Sequence, residues 1–129
     1  MCSENDYKYL PEDLTPINIK AYFYNCFGAC GCSELGEMVV TIKRLLEWHA
    51  ASQEDSRANY ESLYGELGVF YLLSGMLENL DLADHGSSIR FPWLSGDGRR
   101  LLEALQKYLA EEIDDASGEA YDGLHYGGF

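Results

Sequence analysis

The chain has 129 residues, 47% of them hydrophobic and 13% aromatic, which is too apolar for a disordered chain and sufficient for one packed domain. It carries 22 Asp and Glu against 9 Lys and Arg, a formal net charge of -13. That field repels phosphate backbones and anionic lipid surfaces, so direct nucleic-acid or membrane binding is disfavoured and a charged partner should present a basic protein surface. Apolar runs are broken every few residues by Glu, Asp, Asn or Gly and stay short of the ~20 residues a bilayer span needs. Residues Met1 to Asp6 lack the cationic and apolar parts of a secretory signal. The expectation is a cytoplasmic protein folded as a single domain over 1–129, with a 1–16 arm, a 17–110 core and a 111–129 tail.

The arm mixes charges, Tyr7, Tyr9 and two prolines without a sustained period, so it reads as a loop. Ile17, Ile19 and Ala21 alternate with Asn18 and Lys20 ahead of Tyr22, Phe23 and Tyr24, which predicts a short strand or an extended lead-in. Ser33 is a good N-cap, with Glu34 and Glu37 placed where the helix dipole favours carboxylates. Leu35, Met38, Val39, Ile42, Leu45, Leu46 and His49 then recur at three- and four-residue spacing, predicting a helix to about Ala51. Ser52 to Asp55 is a polar break and Ser56 a second cap candidate. A further helical region follows, which Gly65 and Gly68 divide so that the core helix runs from about Gly68 to Leu80.

From Leu82 the pattern changes. Leu82 to His85, a turn at Gly86-Ser87-Ser88, and Ile89 to Leu94 predict a hairpin, after which Ser95 or Asp97 can cap a last helix with an apolar face of Leu101, Leu102, Leu105, Tyr108, Leu109 and Ile113. From Glu111 onward the chain is acidic and Gly-rich with scattered aromatics, the composition of a tail.

The stretch Met76-Leu77-Glu78-Asn79-Leu80-Asp81-Leu82-Ala83-Asp84-His85-Gly86, followed by Trp93-Leu94-Ser95-Gly96-Asp97-Gly98-Arg99-Arg100-Leu101-Leu102, resembles the second half of a winged-helix domain. It is similar to regulators of the PadR and MarR kind, in which a Leu-Thr-x-x-Gly-Arg segment takes the place of Leu94 to Arg99, and the likeness covers about a third of the chain. The resemblance implies a winged-helix-like α+β fold, mainly helical, with a short β-hairpin. It also implies that Gly68 to Leu80 would be the helix entering the major groove. The sequence departs from the pattern there. No Lys or Arg occurs between Arg57 and Arg90, and Glu66, Glu78 and Asp81 are the charged residues offered, whereas phosphate contacts need cationic donors. Arg90, Arg99 and Arg100 form at most a small basic spot at the wing.

Cys26-x-x-x-Cys30-x-Cys32, with Gly28 and Gly31, is the most unusual local feature. Thiolates are soft metal ligands and glycines let a loop wrap an ion, but three ligands fall short of a structural tetrahedral site. Cys32, just before a helix start, is placed for a lowered thiol pKa, while the plainer reading of all three is packing in a tight turn. His49, His85 and His125 fit no Ser/His/Asp or metal spacing, and no phosphate-binding Gly loop is present, so no enzyme and no cofactor is expected. The acidic segment holds the candidate partner-binding residues Glu111, Glu112, Asp114, Asp115, Glu119, Tyr121 and Asp122. These readings converge on a non-enzymatic acidic protein-binding module. By analogy it would be a phage-encoded nucleic-acid mimic that inhibits a bacterial defence system, of the anti-CRISPR or anti-restriction kind, by occupying a nucleic-acid-binding groove. The alternatives are a winged-helix transcription regulator and a cysteine-cluster metal or redox protein.

Overall fold

The computed structural model describes residues 10–29, 34–51, 67–86 and 92–118. Within them the chain forms, in order, α1 (Pro16–Cys26), α2 (Leu35–Ala50), α3 (Leu67–Asn79), β1 (Ala83–Asp84), β2 (Trp93–Leu94), α4 (Gly96–Lys107) and α5 (Ala110–Asp114). The protein is thus mainly helical with a two-stranded antiparallel sheet. It divides into two compact units, Met1–Val40 with Glu103–Phe129, and Thr41–Leu102.

In the first unit, the segment expected to be extended is helix α1. Thr15 has extended backbone (φ -78°, ψ 162°) and its hydroxyl accepts a hydrogen bond from the Asn18 N–H at 3.3 Å, with Pro16 in the first helical turn. This is a complete helix start, because the cap satisfies an orphan donor and proline brings a preset φ and no N–H to lose. The Asn18 amide adds a second tie, donating to the Asp13 carbonyl at 2.9 Å. Ile19, Tyr22 and Phe23 are fully buried, an i, i+3, i+4 stripe that the short apparent alternation of residues 17–21 obscured. The helix ends at Gly28, whose φ of +75° suits a residue without Cβ and turns the chain so that the Phe27 and Ala29 N–H groups both donate to the Phe23 carbonyl. Phe27 then packs its ring on Phe23 and, edge-on, on Tyr22, with centroids 4.8 Å and 5.7 Å away.

Leu10, Leu35 and Val39 are also buried in this unit. Its last helix departs from the single amphipathic face expected up to Ile113. α4 stops at Lys107, Leu109 takes extended backbone (φ -72°, ψ 153°) as the residue before α5, and its side chain is 64% exposed. Restarting the helix one turn later rotates Ile113 inward, and it is fully buried where α5 packs on α1. Lys20 of α1 closes the far end of α5 by donating from Nζ to the Asp114 carbonyl at 2.6 Å and the Ala116 carbonyl at 3.2 Å, a cation set against the negative end of a helix. The first part of the expected tail is therefore a docked helical turn, while residues 119–129 lie outside the described residues.

In the second unit, α2 buries Ile42, Leu45, Leu46, Trp48 and His49. His49 is fully buried at the helix end where a partly buried position was expected, and its Nδ1 lies 2.9 Å from the Leu45 carbonyl oxygen. That oxygen can only accept, so Nδ1 carries the proton of this bond. α3 ends in a left-handed turn. Asp81 adopts φ +60°, its N–H donates to the Glu78 carbonyl at 3.0 Å, and the Leu82 N–H reaches back to the Leu77 carbonyl at 2.9 Å. These are the two bonds of a Schellman motif, with Leu77 and Leu82 both fully buried as its apolar contact. Asp in place of glycine is tolerated because a short polar side chain visits the left-handed region more readily than most.

The turn delivers the chain into β1, which pairs Ala83 with Leu94 and Asp84 with Trp93. Ala83 and Leu94 point into the core while Asp84 and Trp93 face out, the period-2 alternation of a half-buried ribbon. Ser95 then caps α4. Its hydroxyl accepts from the Gly98 N–H at 3.1 Å and donates to the Asp81 carbonyl at 2.6 Å, and its N–H donates to the Leu82 carbonyl at 3.0 Å. Of the two expected caps, Ser95 is the one used. Leu101, Leu102 and Leu105 of α4 are buried.

Candidate functional site

The acidic candidates occupy α5 and the turn after it. Glu111, Glu112, Asp114 and Asp115 are exposed, and no described residue forms an ion pair with them. Their backbone is held on the side away from solvent by Ile113 and Lys20. The Asp114 carboxylate also lies near Gly36, with Oδ2 3.8 Å from where a Cβ would stand. Glu119, Tyr121 and Asp122 lie outside the described residues.

The two units divide the charge unequally. Met1–Val40 with Glu103–Phe129 contains thirteen Asp and Glu against Lys8, Lys20 and Lys107, a net of -10. Thr41–Leu102 contains nine Asp and Glu against six Lys and Arg, a net of -3. The chain's total of -13 is thus concentrated in the unit that carries α5. The acidic composition from Glu111 onward is visible in the sequence, but this segregation is not, because residues 1–40 join 103–129 only through tertiary contacts.

Cys26 is half-buried at the end of α1, and Cys30 and Cys32 lie outside the described residues. Helix α3, the groove-reading helix of the winged-helix resemblance, carries no Lys or Arg and exposes Val69 (44%) and Leu72 (76%), a surface without phosphate-binding chemistry. At the wing, Arg100 is held by Asp97 at 3.0 Å and Arg99 is exposed, while Arg90 is outside the described residues.

A second cluster, not anticipated from the sequence, lies at the base of the hairpin. Glu78 in the last turn of α3, Asp84 of β1 and His85 just after it offer donor atoms that all lie within 4.8 Å of one another. His85 Nδ1 is 2.6 Å from Glu78 Oε2, and the His85 backbone N–H donates to Asp84 Oδ1 at 2.7 Å. His85 and Glu78 are partly shielded, with 31% and 23% of their side chains exposed. The left-handed turn at Asp81 creates the cluster, since it reverses the chain so that residue 78 faces residue 85. A seven-residue separation that crosses from helix to strand matches no fixed motif spacing, and its only trace in the sequence is the helix-stop signal Leu80-Asp81-Leu82. Behind it the Trp93 ring lies over Gly86, 3.7 Å from the position of a Cβ.

Neither a protein-family model, nor a curated protein, nor a solved structure matches the chain.

Proposed function

We propose that the protein is a non-enzymatic binding module whose acidic unit docks on a basic surface of another protein, such as a nucleic-acid-binding groove, with α5 at the centre of contact. The observation that carries this reading is the segregation of charge, -10 in one unit against -3 in the other, together with four exposed carboxylates on a turn anchored by a buried isoleucine. Like charges gathered on one unit repel one another in the free protein, and a basic partner relieves that repulsion while its approach is steered by the same field. Anchoring matters because a pre-ordered acidic turn loses less conformational freedom on docking than a loose tail would. The winged-helix-like order of α3, β1, β2 and α4 then serves as scaffold, and the apolar, cation-free α3 argues against the protein reading DNA itself.

The test starts with capture of basic proteins from a lysate on the immobilised chain at 0.1 M salt, followed by kinetics with the captured protein. Association should slow at least about tenfold as the Debye length falls from ~10 Å at 0.1 M to ~3 Å at 1 M. Asp114→Asn with Asp115→Asn and Glu119→Gln should weaken binding without moving the thermal midpoint. Affinity unchanged in that triple variant, or association indifferent to salt, would refute the assignment.

A further inference from the structure

The geometry points to a binding site for a first-row transition-metal dication at Glu78, Asp84 and His85. Two carboxylates and one imidazole are a ligand set that such ions take, and the nitrogen donor favours them over Mg²⁺ or Ca²⁺, which prefer all-oxygen shells. Donor atoms around a metal with bonds of ~2.0–2.2 Å stand about 3–4 Å apart. The three here all lie within 4.8 Å, so small side-chain rotations suffice to close them on an ion.

Their backbones are already fixed. Glu78 sits inside the Schellman motif that ends α3, and Asp84 is paired with Trp93 across the sheet, so the site needs little ordering when the ion arrives. An ion pair between His85 and Glu78 accounts for two of the groups but leaves Asp84 as a second anion beside a single imidazole. No Lys or Arg among the described residues pairs with any of the three, and a dication would balance both carboxylates. Coordination through Nδ1 requires the imidazole proton to sit on Nε2. Three protein ligands leave positions open for water or for a donor from a partner.

The test uses the full chain and two probes. Zn²⁺ binding is measured by equilibrium dialysis with Cys2, Cys26, Cys30 and Cys32 replaced by Ser, so that thiolates cannot hold the ion. One equivalent should bind, millimolar Mg²⁺ should not displace it, and His85→Ala or Asp84→Asn should each weaken it at least about tenfold. Glu111→Gln with Glu112→Gln should leave it unchanged. In the chain with its cysteines intact, substoichiometric Mn²⁺, a poor thiolate binder, should broaden the His85 ring resonances before those of His49 and His125. Affinity that survives both His85→Ala and Asp84→Asn, displacement by Mg²⁺, or broadening centred on the α5 carboxylates would each overturn the site.

Discussion

Replacing Gly98 by alanine should destabilise the protein although the residue lies in the first turn of a helix, where alanine is intrinsically better. Alanine is favoured over glycine in helices by up to about 1 kcal/mol. At this position, however, a Cβ would overlap the Leu82 carbonyl oxygen and stand 3.1 Å from the Leu82 carbonyl carbon and 3.2 Å from Leu94 Cδ2. The obstacle is backbone held in the turn that leads into β1, so α4 must retreat by on the order of 1 Å from a close-packed contact. That movement breaks or stretches the two bonds by which Ser95 ties the helix start to the hairpin, to the Leu82 carbonyl at 3.0 Å and the Asp81 carbonyl at 2.6 Å. Two hydrogen bonds at about 1 kcal/mol each, plus about 1–3 kcal/mol of overpacking, less the propensity gain, leave a net loss of about 2–4 kcal/mol. For a chain of this size the thermal midpoint should drop by roughly 10 °C. Gly96→Ala is the matched control: it lies in the same turn, is exposed, and a Cβ there meets nothing within 4 Å, so its stability should be unchanged or slightly raised. Urea unfolding of both variants measures the difference. Gly98→Ala as stable as Gly96→Ala would refute the close approach of α4 to Leu82.

Ile42 is 4% exposed in the middle of the α2 stripe, so Ile42→Ala should cost roughly 2–5 kcal/mol in chemical denaturation, and a midpoint within error of the parent would mean that this face is not packed. At Asp81, with φ +60°, glycine should be neutral or stabilising by up to about 1 kcal/mol, whereas valine should destabilise by about 1–3 kcal/mol because β-branched residues resist the left-handed region. Equal stability of the Gly and Val variants at this position would refute the Schellman turn.

Where a helix carries its own signals, the sequence was sufficient. The α2 stripe of Leu35, Val39, Ile42, Leu45, Leu46 and His49, a start of α4 at Ser95 or Asp97 and a hairpin between α3 and α4 are legible directly, because 3.6-residue periodicity and capping are local properties. At α1 five alternating residues mask a Thr-Pro helix start, and at Leu109 periodicity cannot tell that a helix stops and restarts one turn later. Net charge and its sign were also fixed by composition. Only tertiary structure joined residues 1–40 with 103–129 into one strongly acidic unit and brought Glu78 to Asp84 and His85. Both depend on where the backbone reverses: a single left-handed residue at Asp81, and a break before α5 that turns Ile113 into the core and its acidic neighbours out to solvent.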